Sequence, residues 1–469
     1  MHASGTKVVD VMGNPVLLKG VNLGGWMFVE TWIPDTDYTT AGRAVAVGEG
    51  MGIREQVIAA ARVVGMQIGD TENDAPLCPG KGPEWIEAFR VELEKTAGAE
   101  KTGLLVAELV KYPTLCEDAD YKLRKLLEKR FGIKGRDELL DIFQRAWITE
   151  SDISWLAAQG MNVVRVPISY RDITAMEDVD LPESLVWNGK ALERIDDLLG
   201  WCEKNGVYAV IDMQEVPGGQ NSYGDRPAYL WTNEHMKELT VELWEYLSDR
   251  YRGRDVVAFY SLMAEPFGAP DTKARDEMYD RIVKAIRARG DDHLLVIHDG
   301  FFGMNTLPLP SDYGWTGVVY STHIFEDADT LDMYKFYVEM VYEKLFTDAQ
   351  KEQKVPYYIG SFSTKSAAEW AYESAQYLVN WYEKHRWSWS LWTYKLVLDP
   401  LMAEVFGYDT AWGLRSRLNT PFDRPDVYLD DYETLSKKFA AYKGLELGAN
   451  EGLLKALTAG AAGGVAGGR

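Results

Sequence analysis

The sequence predicts an α/β protein in which eight short parallel strands, each followed by a helix, close into a (β/α)8 TIM barrel. Short runs of apolar and β-branched residues recur along the chain, as expected for strands that are buried on both faces. Amphipathic patterns of helical period, such as Ala191–Asn205, Glu234–Tyr251 and Asp276–Arg289, lie between these runs. Eight repeats of this βα unit favour a closed barrel over an open, doubly wound sheet. The predicted strands are Val16–Val21, Asn162–Ile168, Tyr208–Met213, Val256–Met263, Leu294–His298, Val318–Thr322, Tyr357–Gly360 and Trp389–Trp392.

One connection is far longer than the others. About 140 residues, from Gly24 to Gly160, separate the first two predicted strands, and most of them have helical periodicity. A connection of that length needs structure of its own, and it leaves from the strand end at which barrel enzymes build their sites. We therefore expect one domain over residues 1–447 that includes a helical insertion, residues 34–147, which either caps the site or decorates the surface. The segment 448–469 is rich in Gly and Ala and is expected to be disordered.

Composition limits the classes of ligand. The formal net charge is −22, with 50 Lys and Arg against 72 Asp and Glu, whereas nucleic acids and anionic membranes select clustered basic residues. Aromatic residues are abundant, with 16 Trp and 26 Tyr. Such rings can stack on the apolar faces of sugars, although any single one is more often a core residue. We expect a small-molecule or oligosaccharide ligand, and neither nucleic acid nor membrane as a partner.

Cysteine usage and the N-terminal residues bear on compartment and cofactors. Cys78, Cys116 and Cys202 are widely spaced, without a CxxC pair or paired histidines, so neither a zinc site nor a disulfide framework is predicted. The first residues lack an apolar signal segment, and no run of 18 apolar residues occurs. These features favour a cytoplasmic protein, unless a signal peptide has been removed from it. No P-loop or dinucleotide fingerprint is present, and we expect no cofactor and no metal.

Polar and aromatic motifs follow seven of the eight predicted strands in order. Because barrel enzymes place functional residues at the C-terminal ends of their strands, these motifs are expected to converge at one mouth of the barrel. They read KGVNLGGWMFVETWI (Lys19–Ile33), NVVRVPISY (Asn162–Tyr170), VIDMQEVPGGQNSYGD (Val210–Asp225), YSLMAEPFG (Tyr260–Gly268), STHIFED (Ser321–Asp327), YYIGSFSTK (Tyr357–Lys365) and WSWSLWTYK (Trp387–Lys395).

In this order along the chain, the motifs resemble those of the glycoside hydrolases of family 5 (clan A), nearest the branch of exo-β-1,3-glucanases and β-glucosidases. The resemblance covers residues 15–400 and implies a retaining double displacement. In that reaction one carboxylic acid protonates the leaving oxygen, and a second carboxylate attacks the anomeric carbon. Glu265 resembles the family's acid/base, and Arg165 resembles the buried arginine that orients the carboxylates through bidentate hydrogen bonds. His323 resembles the active-site histidine of the sixth strand.

The same resemblance implies a sugar pocket that closes around a non-reducing end. Trp392 resembles the platform under the sugar at the cleavage subsite. Glu30 resembles the acid that holds the hydroxyls of a terminal glucose in exo-acting members. Asn221 and Tyr223 are expected at the rim of this pocket.

Four positions depart from the family pattern at the centre of the site. Ser361 stands where the nucleophilic Glu is expected, and Ala264 stands where an Asn holds the 2-hydroxyl of the sugar. Gln214 replaces a His, and Phe325 replaces a Tyr. A serine hydroxyl without an adjacent base is a poor nucleophile at neutral pH, so the double displacement lacks its second group.

Two explanations of these departures remain open: a single engineered nucleophile replacement, or natural divergence of several subsite residues together. In a diverged site, a water molecule could occupy the space beside Ser361, with Glu265 as the acid. The carboxylates nearest in sequence to serve as the base are Glu215, Glu326 and Asp327. The sequence therefore predicts a glycosidase that acts on β-linked glucosides or short β-glucans from the non-reducing end. The alternatives are a sugar-binding pseudo-enzyme and a family member with a different glycoside reaction, namely transglycosylation, single displacement or elimination.

Overall fold

Eight parallel strands close into a barrel at the centre of the computed structural model, with each strand bonded to the next and the eighth bonded to the first. In chain order the barrel strands are Lys19–Asn22, Val163–Ser169, Tyr208–Glu215, Val257–Ser261, Leu294–His298, Val318–Ile324, Tyr357–Phe362 and Ser388–Leu391. The predicted (β/α)8 TIM barrel is therefore confirmed. The structure describes residues 1–30, 33–34, 40–64, 84–111, 119–176, 182–221, 228–325, 328–364, 368–397, 412–418, 422–427 and 430–459.

The strands form where apolar side chains can be buried on both faces of the sheet. Inward-facing residues from several strands, among them Val163, Val210 and Tyr358, pack together inside the barrel. The first strand begins later than predicted, at Lys19 rather than Val16. The reason is local, because the backbone of Val16 bonds to Val8 at 2.9 Å and so belongs to the N-terminal hairpin instead. That hairpin comprises His2–Ser4 and Lys7–Val9.

Amphipathic helices surround the barrel, and their N-caps account for where they begin. The predicted helix Glu234–Tyr251 is found with those bounds, after Asn233 caps it. The helix predicted from Asp276 begins at Thr272, because the Asp271 carboxylate accepts from the Ala274 amide at 2.8 Å. The α-helices that follow the second barrel strand are Tyr170–Ile173, Gly189–Asn205, Glu234–Tyr251, Thr272–Ala288, Pro310–Tyr313, Leu331–Phe336, Glu343–Gln353, Ala371–Lys384, Tyr432–Ala441 and Glu451–Thr458, and a π-helical stretch spans Tyr337–Tyr342.

Several helices lie between the first and second barrel strands. They are Thr40–Gly50, Arg54–Val63, Glu84–Ala97, Ala99–Lys111, Ala119–Trp147 and Glu150–Ala158. The first four share an apolar cluster of their own that includes Val57, Phe89 and Leu105. The helical patterns Asp120–Arg130 and Leu139–Ala146 predict two helices where Ala119–Trp147 lies. Gly132 interrupts this helix, with φ 72 and ψ 169.

The helix Ala119–Trp147 is attached to the loop that follows the first barrel strand. The Trp147 indole donates to the Gly24 carbonyl at 3.0 Å, and the Trp26 indole donates to the Gln144 carbonyl at 2.8 Å. This end of the helix therefore lies at the C-terminal, functional end of the barrel strands. A capping role for the whole insertion remains a prediction.

The C-terminal segment 448–469 departs from the predicted disorder. Its first residues complete the strand Leu447–Ala449, which pairs in antiparallel fashion with Arg415–Arg417. They continue into the helix Glu451–Thr458, which is anchored by two buried leucines. The prediction is wrong for this first part, because the Gly and Ala content of the segment hid an amphipathic pattern. Residues 460–469 lie outside the described residues.

Two further sequence expectations concern cysteines and membrane spans. Cys202 is buried, and burial raises the pKa of its thiol to about 12, whereas Cys78 and Cys116 lie outside the described residues. Over the ranges that the structure describes, no helix has both the length and the apolar character needed to cross a membrane.

A buried ion pair joins the segment after the eighth strand to the helix before the second strand. Lys395 Nζ lies 2.7 Å from Asp152 Oδ1, and the two side chains are 6% and 5% exposed. The Tyr394 hydroxyl donates to the same carboxylate oxygen at 2.8 Å. Burial lowers the pKa of Lys395, and the nearby Asp152 carboxylate opposes that shift.

We expect Asp152→Ala to lower the free energy of unfolding by about 3–5 kcal/mol, because it leaves the Lys395 ammonium buried without a carboxylate. Urea denaturation followed by tryptophan fluorescence measures this loss. The control is Glu277→Ala, which breaks the solvent-exposed pair with Lys273 and is expected to change stability by less than about 1 kcal/mol. Equal, small losses in the two variants would contradict this interpretation.

Candidate active site

Arg165, on the second barrel strand, connects the ends of the first three strands. Its Nη1 donates to Asn22 Oδ1 at 2.7 Å, and its Nη2 donates to Asp212 Oδ2 at 2.8 Å and to Gln214 Oε1 at 3.0 Å. The Arg165 and Asp212 side chains are 1% and 0% exposed. Burial raises the pKa of Asp212, and Arg165 opposes the shift. The carboxylate paired with Arg165 thus comes from the third strand.

Glu265 lies just after the fourth strand and contacts His323 of the sixth. Its backbone has φ 46, a left-handed conformation that few residues other than glycine adopt. His323 Nδ1 is 2.5 Å from Glu265 Oε1, and both side chains are buried. Burial and the charge of Arg165 lower the pKa of His323 well below its usual value, so the imidazole is neutral around pH 7. The two predicted residues are therefore joined in one hydrogen-bonded pair.

The turn that carries Glu265 is held by Gln220, which sequence reasoning did not single out. The Gln220 side-chain amide donates to the carbonyls of Ala264 and Gln214, each at 2.7 Å. Its Oε1 accepts from the Val216 amide at 3.1 Å. The buried Gln220 side chain therefore fixes the loop after the third strand against the residue that precedes Glu265.

Ser361 lies on the seventh strand, opposite His323 in the sheet register. It is buried, and the Asn22 side-chain amide approaches its hydroxyl oxygen at 3.5 Å. The register shifts at this point and leaves Gly360 out of the ladder. A Cβ added at Gly360 would come within 2.9 Å of His323 Nε2. The free edge of the imidazole therefore lies against the strand that carries Ser361.

Glu215, one of the candidate bases, belongs to a different buried cluster. It pairs with Arg171 and accepts from the Ser169 hydroxyl at 3.1 Å. Asp212 and Gln214 point to Arg165, whereas Glu215 is the next residue and faces the other side of the strand. The candidate bases Glu326 and Asp327 lie outside the described residues.

The predicted sugar-binding residues are placed as follows relative to the strand ends. Trp392 follows the eighth strand and packs against Gly24, at which an added Cβ would come within 3.1 Å of the indole. Phe325 is 40% exposed, and its ring lies 6.5 Å from that of His323. Asn221 is buried and Glu30 is partly exposed, each after its predicted strand, and Tyr223 lies outside the described residues.

The fifth strand ends in His298, which sequence reasoning missed. Its ring is perpendicular to that of His323, with 4.4 Å between centroids. The Gly300 amide donates to His298 Nδ1 at 2.9 Å, which places the proton of the neutral ring on Nε2. Burial lowers the pKa of His298 well below its usual value, so this ring is neutral. The available signal was its position as the last residue of a barrel strand.

Among the described residues, no group of three or more His, Cys, Asp or Glu side chains is placed to hold a metal ion.

A closed barrel with a buried acid, a histidine and an aromatic ring at the C-terminal strand ends defines a barrel enzyme of the glycosidase class. The family model for cellulase, glycosyl hydrolase family 5, matches residues 129–396. Since this match covers more than half of the chain, the chain belongs to glycosyl hydrolase family 5. The expected family and glycosidase class are thus confirmed.

Two of the curated relatives come from fungi. A β-xylosidase of Phanerodontia chrysosporium is 24% identical over 422 residues, which cover 84% of this chain and 70% of that protein. A probable glucan 1,3-beta-glucosidase A of Neosartorya fischeri is 30% identical over 211 residues, covering 42% of this chain and 47% of that protein. The match therefore spans about half the length of the glucan glucosidase.

A solved structure supports the fold along almost the whole chain. The crystal structure of an endogalactoceramidase aligns with a TM-score of 0.55 at 16% identity, and covers 97% of this chain and 84% of that one. At this level of identity the similarity concerns the fold alone.

Asp299, which follows His298, makes the stability of the protein depend on pH. Burial raises its pKa from 3.8 to about 6, although the Phe301 amide and the Thr322 hydroxyl oppose that shift. The folded protein therefore holds a proton that the unfolded chain releases between about pH 4 and pH 6. The stability that the protonated Asp299 carboxyl contributes is present below this window and is lost as the pH rises through it.

We compare the free energy of unfolding of Asp299→Asn with that of the unmodified protein. We expect this difference to shift in favour of the variant by about 3 kcal/mol between about pH 4 and pH 8. The variant lacks the group whose ionisation opposes folding at high pH. Urea denaturation at the two pH values measures the difference, and Asp292→Asn, at an exposed position, is the control. A difference between Asp299→Asn and the unmodified protein that does not change with pH would refute the assignment.

Proposed function

We propose that this chain acts on β-linked glucosides or short β-glucans from the non-reducing end, with Glu265 as the proton donor. The observation that carries this proposal is the buried pair of Glu265 and His323 at the mouth of a family 5 barrel. The names of the relatives, β-xylosidase and glucan 1,3-beta-glucosidase, support a β-linked glycoside as the substrate class.

Binding of the sugar is assigned to the residues around this pair. Trp392 offers an aromatic face for the apolar side of a pyranose ring. Glu30, in the loop that follows the first barrel strand, is the proposed acceptor for the hydroxyls of the terminal sugar. Phe325 supplies an exposed ring near the leaving-group side of His323.

Among the residues that the structure describes, proton donation is the catalytic step for which a group is in place. A buried carboxylic acid next to a neutral histidine can protonate the glycosidic oxygen as the bond breaks. The Ser361 hydroxyl cannot form the covalent glycosyl ester that a carboxylate nucleophile forms. It also cannot balance the positive charge that develops at the anomeric carbon. We therefore expect slow turnover, in which water beside Ser361 or an acceptor hydroxyl attacks, so that single displacement or transglycosylation results.

Binding without turnover is a second candidate, and one observation favours it. Arg165 is already balanced by Asp212, and Glu215 is already paired with Arg171. Both carboxylates of the third strand end are thus engaged in structural pairs. A protein of this kind would keep the sugar pocket and lose the reaction.

The cytoplasmic location and the lack of nucleic-acid and membrane partners remain predictions from composition.

We expect Ser361→Glu to raise kcat/KM on aryl β-glucosides by about a thousandfold or more, because it restores a carboxylate next to the anomeric carbon. Release of the aryl group measures the rate, and NMR of the first-formed anomer is expected to show retention of configuration. Ser361→Gln is the matched control, with the same size and no charge, and is expected to gain nothing. If Ser361→Glu stays inactive while the unmodified chain turns over a glycoside, this site is not a double-displacement site that merely lacks its nucleophile.

A further inference from the structure

His323 is oriented as the central base of a nucleophile, base and carboxylate series. On one side, its Nδ1 is bonded to Glu265 Oε1 at 2.5 Å. On the other side, its Nε2 edge lies against the seventh strand, 2.9 Å from where a Gly360 Cβ would be. His323 is also the register partner of Ser361. One imidazole therefore spans the gap between a carboxylate and the strand segment that carries a serine, which is the order of groups that activates a serine hydroxyl.

The imidazole is held in this orientation by its surroundings. The ring of His298 packs perpendicular to it, with 4.4 Å between centroids. The Glu265 carboxylate fixes the proton of the neutral ring on Nδ1 whenever that carboxylate is ionised, which leaves the Nε2 lone pair available. Burial keeps the pKa of His323 well below its usual value, which favours the neutral ring.

Ser361 is the strand neighbour of His323, and its hydroxyl contacts the Asn22 amide. Adjacent strands lie about 4.8 Å apart, so facing side chains can meet after a change of rotamer, and catalytic contacts of this kind often close only when a substrate binds. The Asn22 side-chain amide lies 3.5 Å from the Ser361 hydroxyl and also donates to the carbonyls of Ser390 and Leu391.

We propose that Ser361, His323 and Glu265 hydrolyse carboxylic esters of sugar hydroxyls in the same pocket. Ser361 Oγ attacks the ester carbonyl carbon, and its proton passes to His323 Nε2. The carbon–oxygen bond to the sugar then breaks, and His323 returns the proton to the departing hydroxyl. Water, deprotonated by His323, then attacks the acyl carbon. The bond from that carbon to Ser361 Oγ breaks, His323 returns the proton to Ser361 Oγ, and the carboxylic acid is released. An acylated glycoside is the substrate class because the Trp392 face suits the sugar.

Labelling with a fluorophosphonate probe tests this inference on the full chain. Intact mass and peptide mapping are expected to find one adduct, on Ser361. Ser361→Ala is expected to lose the label, and His323→Gln to slow labelling by at least about a hundredfold. Ser311→Ala, at an exposed helix position, is the control and is expected to label as the unmodified chain does.

Hydrolysis of 4-nitrophenyl acetate and of an acetylated methyl β-glucoside gives the matching activity, and is expected to follow the labelling. Ser361→Cys, which keeps a nucleophile of similar size, is expected to retain acyl transfer to itself, so a loss in Ser361→Ala cannot be ascribed to misfolding. Labelling that is unchanged in Ser361→Ala, or that maps to another residue, would overturn the inference.

The inference and the proposed function fail separately. Ser361→Glu is expected to lose ester hydrolysis while it gains glycoside hydrolysis. If Ser361→Glu gains glycosidase activity but the unmodified chain is never labelled, only the esterase inference is wrong. If Ser361 is labelled but neither the unmodified chain nor Ser361→Glu hydrolyses a glycoside, only the glycosidase proposal is wrong.

Discussion

The buried ion pair of Arg165 and Asp212 is the constraint on which the mouth of the barrel depends. A guanidinium held away from water needs a negative partner, and loss of that partner would cost several kcal/mol. The same guanidinium also bonds Asn22 and Gln214, so that one residue fixes the ends of three strands. Because Asp212 balances its charge, the site can be stable with a neutral side chain at position 361. The absence of a carboxylate there is compatible with the fold and changes only the chemistry.

A second set of contacts positions the proton donor. Gln220 bonds the carbonyl of Ala264, and His323 bonds the carboxyl of Glu265. The ring of His298 in turn packs perpendicular to the ring of His323. The acid is therefore held from the loop after the third strand and, through His323, from the sixth and fifth strands. This is the rigidity that proton transfer to a bound substrate requires. These contacts are compatible both with a glycoside and with an ester as the reacting group, because each reaction needs a fixed proton carrier.

Much of the fold and part of the site could be predicted from the sequence. Apolar runs of strand length predicted the barrel. Because parallel strands bring their C-terminal ends together, the proximity of Glu265 and His323 followed from their places in the chain. The partner of Arg165 could not be predicted, because it depends on which side of the third strand each residue faces. Alternation along that strand places Asp212 and Gln214 inward and Glu215 on the other side.

Other features were hidden for identifiable reasons. His298 has no motif around it, and the available sequence signal was its position as the last residue of the strand Leu294–His298. The final helix Glu451–Thr458 was obscured by the Gly and Ala around it, although its leucines are buried.

The most direct test of the central claim, a sugar site with a proton donor and no carboxylate nucleophile, is a trapping experiment. The chain is incubated with a dinitrophenyl 2-deoxy-2-fluoro-β-glucoside, which accumulates as a glycosyl ester on the nucleophile of a retaining glycosidase, and its intact mass is measured. The account predicts no covalent sugar on the unmodified chain. A stoichiometric adduct that maps to any Asp or Glu would contradict it, because a carboxylate would then serve as the nucleophile.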